Sequence, residues 1–239
     1  MKTQVKKVSL LSKGMTNAKT SKNELETYIM YLAPADMVSG VNLCPFASLG
    51  CKASCLYSAG RGAFNNVQQA RINKTIIWKE NRDYFYQLLN TELAKIESKA
   101  IKENKQIAVR LNGTSDIDHL SLLLRYTNKN WLESKNLVFY DYTKNFNTIK
   151  KYLNTNYHLT FSLSESNKDT AMDVLKMGGN VAAVFYQSLP QQWQGYKVIN
   201  GDASDLRVND ERNVIVGLIA KGKAKKDNSG FVIQTPNNN

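Results

Sequence analysis

All three cysteines of the chain, Cys44, Cys51 and Cys55, lie in one short segment with the spacing C-x6-C-x3-C. Core packing alone would scatter cysteines along a chain of 239 residues rather than collect them in one place. Thiolates are soft ligands that select zinc, copper(I) and iron–sulfur clusters. Their spacing therefore predicts that the three sulfur atoms converge on one metal centre.

The nature of that centre depends on whether a fourth ligand exists. A structural zinc ion needs four protein ligands to complete its tetrahedron. The only histidines, His119 and His158, are distant in sequence, although His119 could reach the cysteines from a neighbouring loop. Three cysteines without an evident fourth ligand favour an iron–sulfur cluster, either 4Fe-4S with one iron open to a small ligand or 3Fe-4S. Three cysteines that bind no metal are the remaining alternative.

Two arginines close to the cysteines could bind a negatively charged group. Arg61 lies in a glycine-flanked turn whose backbone amides could approach cluster sulfur atoms or an anionic ligand, and Arg71 follows in a predicted helix. We expect both side chains to balance the negative charge of thiolate-bound iron and sulfide.

The overall composition is that of a globular protein with a strong positive charge. The net charge of +12 and the sequence pI of about 9.5 suit a nucleic acid or another polyanionic partner, or else a solvated basic surface. The sequence has no apolar run of ~18 residues and no recognisable signal peptide. We therefore expect no membrane association and a cytosolic location, in which the thiols stay reduced.

Short apolar runs alternate with helical patterns from residue 107 onward, which predicts an α/β fold with a parallel sheet. Predicted helices cover residues 65–79, 82–102, 117–132, 147–153 and 168–177. Predicted strands cover residues 27–33, 107–111, 137–141, 158–163, 181–185, 197–200, 214–220 and 231–234. The last two strands could pair with each other. We expect one domain, 1–239, in which 1–22 form a flexible arm and 27–235 form a barrel-like core that carries the cysteine loop, 42–62.

Polar side chains cluster where the predicted strands end. In parallel α/β folds, binding and catalytic residues collect at the carboxyl ends of the strands. Single clusters of this kind can also be helix N-caps. Because several of them follow successive strands, we expect a shared pocket that faces the cysteines and is lined by Arg110, Asn112, Ser115, Asp116, Asp141 and Ser164.

Several segments together resemble a bacteriophage family known as the gene product eighty-eight type. They are the cysteine segment CPFASLGCKASCLYSAGRG, the strand end RLNGTSDI and the later run GDASDLR…VGLIAKGKA, and the resemblance covers most of residues 27–233. It implies a phage protein that works in the host bacterial cytoplasm. It also implies a partial parallel (β/α) barrel related to the radical S-adenosylmethionine enzymes, with Cys44, Cys51 and Cys55 holding an iron–sulfur cluster.

The sequence departs from the radical-enzyme pattern in two places. Those enzymes space their cysteines C-x3-C-x2-C, and their Gly-Gly-Glu segment corresponds here to residues 112–116, NGTSD. Enzymatic activity, and S-adenosylmethionine as a ligand of an open iron, therefore remain open. The alternatives to a redox or radical enzyme are a nucleic-acid-binding protein with a structural zinc site and a protein that interacts with a host protein.

Overall fold

The computed structural model describes residues 8–14, 24–58 and 60–234. Most of the predicted arm, residues 1–7 and 15–22, lies outside the described residues, as does the end of the chain from residue 235. Residues 8–14 belong to the predicted arm and contain the first strand of the sheet, with the Leu10 and Leu11 side chains buried in the core.

The described residues contain ten strands that form one sheet, in the order β1-β2-β3-β4-β5-β6-β9-β8-β7, with β10 beside β6. Neighbouring strands are parallel except for the pairs β1–β2 and β7–β8. The strands are β1 (Leu11–Lys13), β2 (Thr27–Met30), β3 (Ile107–Arg110), β4 (Leu137–Thr143), β5 (Tyr157–Ser162), β6 (Asn180–Phe185), β7 (Gln192–Trp193), β8 (Tyr196–Asn200), β9 (Ile215–Ile219) and β10 (Val232–Ile233).

The predicted α/β class with a mostly parallel sheet is confirmed, whereas a barrel is not. Within the described ranges the end strands β1 and β7 do not pair with each other, so the sheet is open. The expected pairing between residues 214–220 and 231–234 is wrong. Strand β9 is inserted between β6 and β8, while β10 pairs in parallel with Val184 and Phe185 at the end of β6.

In the described part of the chain, six α-helices connect or flank the strands: α1 (Leu49–Ala53), α2 (Asn65–Glu80), α3 (Arg82–Lys102), α4 (His119–Thr127), α5 (Phe146–Tyr152) and α6 (Lys168–Lys176). Asn81 ends α2 and also caps α3, since its side chain accepts a hydrogen bond from the Tyr84 amide. Helix α4 ends five residues before the predicted boundary at 132. There Asn128 adopts the left-handed conformation (φ 54°), which asparagine tolerates better than most residues. Within the described residues, no helix has both the length and the apolar character needed to cross a membrane.

Both faces of the central strands are covered, which explains their continuous apolar sequences. On one face, buried side chains of α3, such as Phe85 and Leu89, pack in a core with Val109 of β3 and Phe139 of β4. A second core on β5, β6 and β9 includes residues of α5 and α6. On the other face, Leu206 in the segment between β8 and β9 packs with Ala108, Val138 and Tyr140. Because β2 to β6, β9 and β8 run parallel to their neighbours, their carboxyl ends lie at one edge of the sheet and their amino ends at the other.

Candidate metal centre

The cysteine segment follows β2 at the carboxyl edge of the sheet. The Leu43 amide donates to the Ala35 carbonyl at 2.9 Å, and the Leu43 side chain is fully buried, so the loop returns to the core just before Cys44. Ser48 caps α1 by accepting a hydrogen bond from the Cys51 amide at 3.2 Å. Helix α1 ends at Ala53, so Cys51 lies inside it and Cys55 just beyond it.

Cys44 is partly buried and its sulfur is hydrogen-bonded to the backbone. Sγ accepts from the Ala35 amide at 3.3 Å and lies 3.7 Å from the Thr114 carbonyl, to which the thiol donates. Burial raises the pKa of the Cys44 thiol to about 11, against the lowering effect of the Ala35 amide. The negative charges of Asp116, Cys55 and Cys51 act in the same direction as burial.

The surroundings of Cys55 act on the pKa of its thiol in opposite directions. Burial raises the pKa of its thiol, and the charge of Cys51 raises it further. A hydrogen bond from the Tyr57 amide and the positive charges of Arg71 and Lys144 act in the opposite direction. Cys55 therefore lies close to two cations as well as to another cysteine.

All three cysteines are free thiols of intermediate exposure. In the part of the chain that the structure describes, no group of three or more histidine, cysteine, aspartate or glutamate side chains is placed to hold a metal ion. The metal centre therefore stays a prediction from the sequence.

Arg71, on α2, is a buried cation beside Cys55 and has no carboxylate among its described contacts. It is 9% exposed, and its Cζ lies 4.9 Å from the ring centroid of Tyr31 and 5.3 Å from that of Tyr57. Its Nε and Nη1 atoms have no hydrogen-bond partner among the described residues. Burial accordingly lowers the pKa of the guanidinium. Arg61, by contrast, is exposed on the short 3-10 turn Gly60–Ala63.

The polar residues that follow β3 tie the neighbouring loops together. Asp116 accepts hydrogen bonds from the Thr143 hydroxyl at 2.6 Å and the Lys144 amide at 2.8 Å, and its own amide donates to the Leu43 carbonyl at 2.7 Å. Burial raises the pKa of the Asp116 carboxyl. Asp116 therefore connects the loops after β3 and β4 with the cysteine segment.

Asp141 is the centre of a second, fully buried network. Its carboxylate accepts from the Leu111 amide at 3.1 Å, the Asn112 amide at 2.8 Å and the Tyr157 hydroxyl at 2.8 Å. Burial raises the pKa of Asp141 to about 6, although the nearby Arg110 and these hydrogen bonds oppose the shift. The network fixes the point at which the chain leaves β3.

The remaining residues of the expected pocket also have partners inside the fold. Arg110 donates to Asp205 at 2.9 Å and lies 3.6 Å from Asp141, so the buried guanidinium is balanced by two carboxylates. The Asn112 side chain accepts from the Ser115 hydroxyl at 2.8 Å. Ser164 lies in the turn before α6, where its amide donates to the Asn167 side chain at 2.7 Å.

His119 lies in the hydrophobic core. It is fully buried, its Nδ1 is 3.1 Å from the Tyr86 hydroxyl, and it stacks beside Phe85 at 6.4 Å between ring centroids. Burial lowers its pKa to about 3. A neutral core histidine accounts for this residue without a metal.

Sequence reasoning missed Tyr31 and Tyr57, which hold Arg71. Tyr31 directly follows β2 and therefore lies at the carboxyl edge of the sheet, which was the available signal. Tyr57 lies two residues after Cys55, within the segment already singled out, but nothing in the sequence indicates that its ring faces Arg71.

Comparison with known proteins identifies a family. No curated protein matches the chain, and no solved structure does, so the expected relation to the radical S-adenosylmethionine enzymes is not supported. A family model described as Gene product 88 matches residues 9–235, which is nearly the whole chain. The protein belongs to the gene product 88 family, a family of bacteriophage gene products.

Proposed function

We propose that this phage protein binds an iron–sulfur cluster through Cys44, Cys51 and Cys55 at the carboxyl edge of its parallel sheet. The observation that carries the proposal is the buried guanidinium of Arg71, two of whose nitrogen atoms have no hydrogen-bond partner in the described parts of the chain, and whose positive charge lowers the pKa of Cys55. Holding a cation in such a place is costly unless a negative charge compensates it.

The residues present fit such a group. Three thiolates bound to iron and sulfide carry net negative charge, which Arg71 and Lys144 would stabilise from beside Cys55. When bound, a cluster of this kind supplies one-electron transfer, or a Lewis-acidic site at an iron without a protein ligand. Because burial keeps the Cys44 thiol protonated at neutral pH, metal binding there must release its proton.

The backbone around the sulfur atoms would tune the cluster. The Ala35 amide donates to Cys44, and the Tyr57 amide donates to Cys55. Hydrogen bonds to cluster thiolates raise the reduction potential because they stabilise the more negative, reduced state. The proposal needs reduced thiols, as in the host cytoplasm.

The test is the iron and sulfide content of protein purified and reconstituted without air. We expect about three or four irons per chain with a matching amount of sulfide. Each of the variants Cys44→Ala, Cys51→Ala and Cys55→Ala should lose most of both. Lys52→Ala is the matched control, because Lys52 is exposed in the same segment and pairs only with the exposed Asp36 in the described structure. Colourless protein that carries one zinc ion and no sulfide would refute the proposal.

A further inference from the structure

A cavity opens at the amino edge of the sheet, opposite the cysteines. Its volume is about 460 Å³. It is lined by the starts of β5 and β6, by the loops that precede them, and by the segment that leads into β9. None of the cysteines lines it, so it is separate from the candidate metal centre.

Arg207 lines this cavity with a buried and incompletely satisfied guanidinium. The residue is 5% exposed, and its Nη2 donates to the Ser204 carbonyl at 2.6 Å. Its Nε and Nη1 have no hydrogen-bond partner among the described residues. Nη1 forms an ion pair with Oδ2 of Asp210 at 3.2 Å, but the geometry is not that of a hydrogen bond. Oδ2 of Asp210 therefore also has no hydrogen-bond partner among the described residues. Two N–H donor groups of this buried guanidinium therefore lack an acceptor within the described residues.

A second guanidinium lines the same cavity. Arg212 donates through one nitrogen, Nη2, to the Leu153 carbonyl at 3.0 Å and to the Asn154 side chain at 2.8 Å, which fixes its position at the wall. His158 also lines the cavity, and burial, aided by the charge of Arg212, lowers its pKa, so its ring is neutral at pH 7.

The charges of the lining favour an anion. The two guanidinium groups face a single carboxylate, that of Asp210, so the cavity carries a net positive charge. Burial raises the pKa of Asp210, and the positive charge of Arg207 opposes this shift. Arginine presents a planar fork that matches the oxygens of phosphate and carboxylate.

We propose that this cavity binds the oxyanion group, phosphate or carboxylate, of a small molecule through Arg207 and Arg212. The volume falls in the range of small-molecule sites, roughly 300–1,000 Å³. Leu153, Leu159 and Val208 supply apolar wall for the body of the ligand. The inference does not depend on the cluster, because it uses a different edge of the sheet and different residues.

The experiment is calorimetric titration of the full chain with inorganic phosphate and, separately, with acetate at constant ionic strength. We expect saturable binding of at least one of them, and the stronger one defines the class of the natural ligand. Arg212→Gln should weaken binding at least tenfold without unfolding the protein, because Arg212 is exposed at the wall. Arg207→Gln should do the same wherever circular dichroism shows that it folds.

Arg125→Gln is the matched control, since Arg125 is exposed on α4 and does not line the cavity. It should bind the probe as the wild type does. The proposal is overturned if neither probe binds saturably to the wild type, or if Arg212→Gln binds as tightly as the wild type. The iron content of Arg212→Gln should equal that of the wild type, which separates this test from that of the cluster.

Discussion

The Gly50 amide donates a hydrogen bond of 2.8 Å to the carboxylate of Glu165, and this contact joins the cysteine segment to the loop after β5. The same carboxylate accepts from the Ser48 hydroxyl, also at 2.8 Å. A methyl group on Gly50 would lie 2.7 Å from Cβ of Phe231 and 2.9 Å from Oε2 of Glu165, so only glycine allows this approach. Although burial opposes it, these hydrogen bonds lower the pKa of Glu165 and keep the carboxylate charged.

Glu165→Ala should loosen the cysteine segment. Because it removes the acceptor of two hydrogen bonds, one of them at the start of α1, we expect a loss of about 1–2 kcal/mol in the free energy of unfolding and a lower iron content after reconstitution. Denaturant unfolding and iron analysis measure the two effects. Glu80→Ala, at the exposed end of α2, is the control and should change neither. Equal iron content in the two variants would show that the hydrogen bonds to Glu165 do not position the cysteines.

Arg71→Met separates a role in binding an anion from a role in packing. In the metal-free protein, the loss of attraction to Tyr31 and Tyr57, about 0.5–1 kcal/mol per ring, is offset by removal of an uncompensated buried charge. We therefore expect the free energy of unfolding of the metal-free variant to change by less than about 1 kcal/mol. The iron content after reconstitution should fall severalfold.

Arg82→Met serves as the control for Arg71→Met, because Arg82 also lies over an aromatic ring, that of Trp78 at 4.2 Å. It should retain the iron. A metal-free Arg71→Met protein that unfolds several kcal/mol more easily than the wild type would indicate a structural role instead.

Asp141→Asn should destabilise the protein strongly. The Leu111 and Asn112 amides donate to different oxygens of Asp141, and asparagine replaces one of these oxygens by an amide nitrogen that cannot accept, so one of the two bonds is lost. Arg110 also loses one of its two carboxylate partners. We expect a loss of about 2–4 kcal/mol in urea unfolding. Asp173→Asn breaks only an exposed pair with Lys176 and should cost less than about 0.5 kcal/mol. Similar losses in the two variants would contradict the assigned role of Asp141.

Glu26 should make stability depend on pH in the acid range. Burial alone would raise its pKa, but the ammonium groups of Lys105 and Lys99 lower it from the usual 4.5 to about 2. A carboxyl whose pKa is depressed by folding contributes stability above its unfolded pKa, and this contribution is lost as the pH falls from 4.5 towards 2.

Glu26→Gln should therefore cost about 1–2 kcal/mol at pH 7, after allowance for solvent screening of the partly exposed lysines. The difference from the wild type should shrink towards zero as the pH falls through that window. Urea unfolding of Glu26→Gln and of the wild type at a series of pH values measures this difference. A difference that stays constant down to pH 2 would contradict the lowered pKa.

Local patterns predicted most of the elements. Helix α3 has the predicted boundaries, 82–102, because an asparagine cap and a long amphipathic pattern define it. The parallel strands β3 to β6 followed from apolar runs that alternate with helices. In contrast, β1 lies in a lysine-rich, serine-rich start without clear periodicity, and tertiary contacts with β2 make it a strand.

The pairing of β10 and the short strand β7 could not be predicted either, because, as for β1, contacts with other strands decide them. The two-residue strand β10 pairs with β6, and β7 forms within an expected loop, because pairing partners rather than local propensity decide such short strands. At the candidate site, the cysteine spacing predicts a shared metal centre, and this stays a prediction, because no group of metal ligands is found among the described residues. The enclosure of Arg71 by Tyr31 and Tyr57 depends on how α2 packs on the sheet, which no local pattern encodes.

Electron paramagnetic resonance of protein kept from air tests the cluster most directly. The wild-type chain should give an iron–sulfur signal, as isolated if the cluster is 3Fe-4S or after reduction if it is 4Fe-4S. The signal should be lost in Cys44→Ala, Cys51→Ala and Cys55→Ala and retained in Lys52→Ala. No signal in either state, from protein without sulfide, would contradict the assignment of these three cysteines to an iron–sulfur cluster.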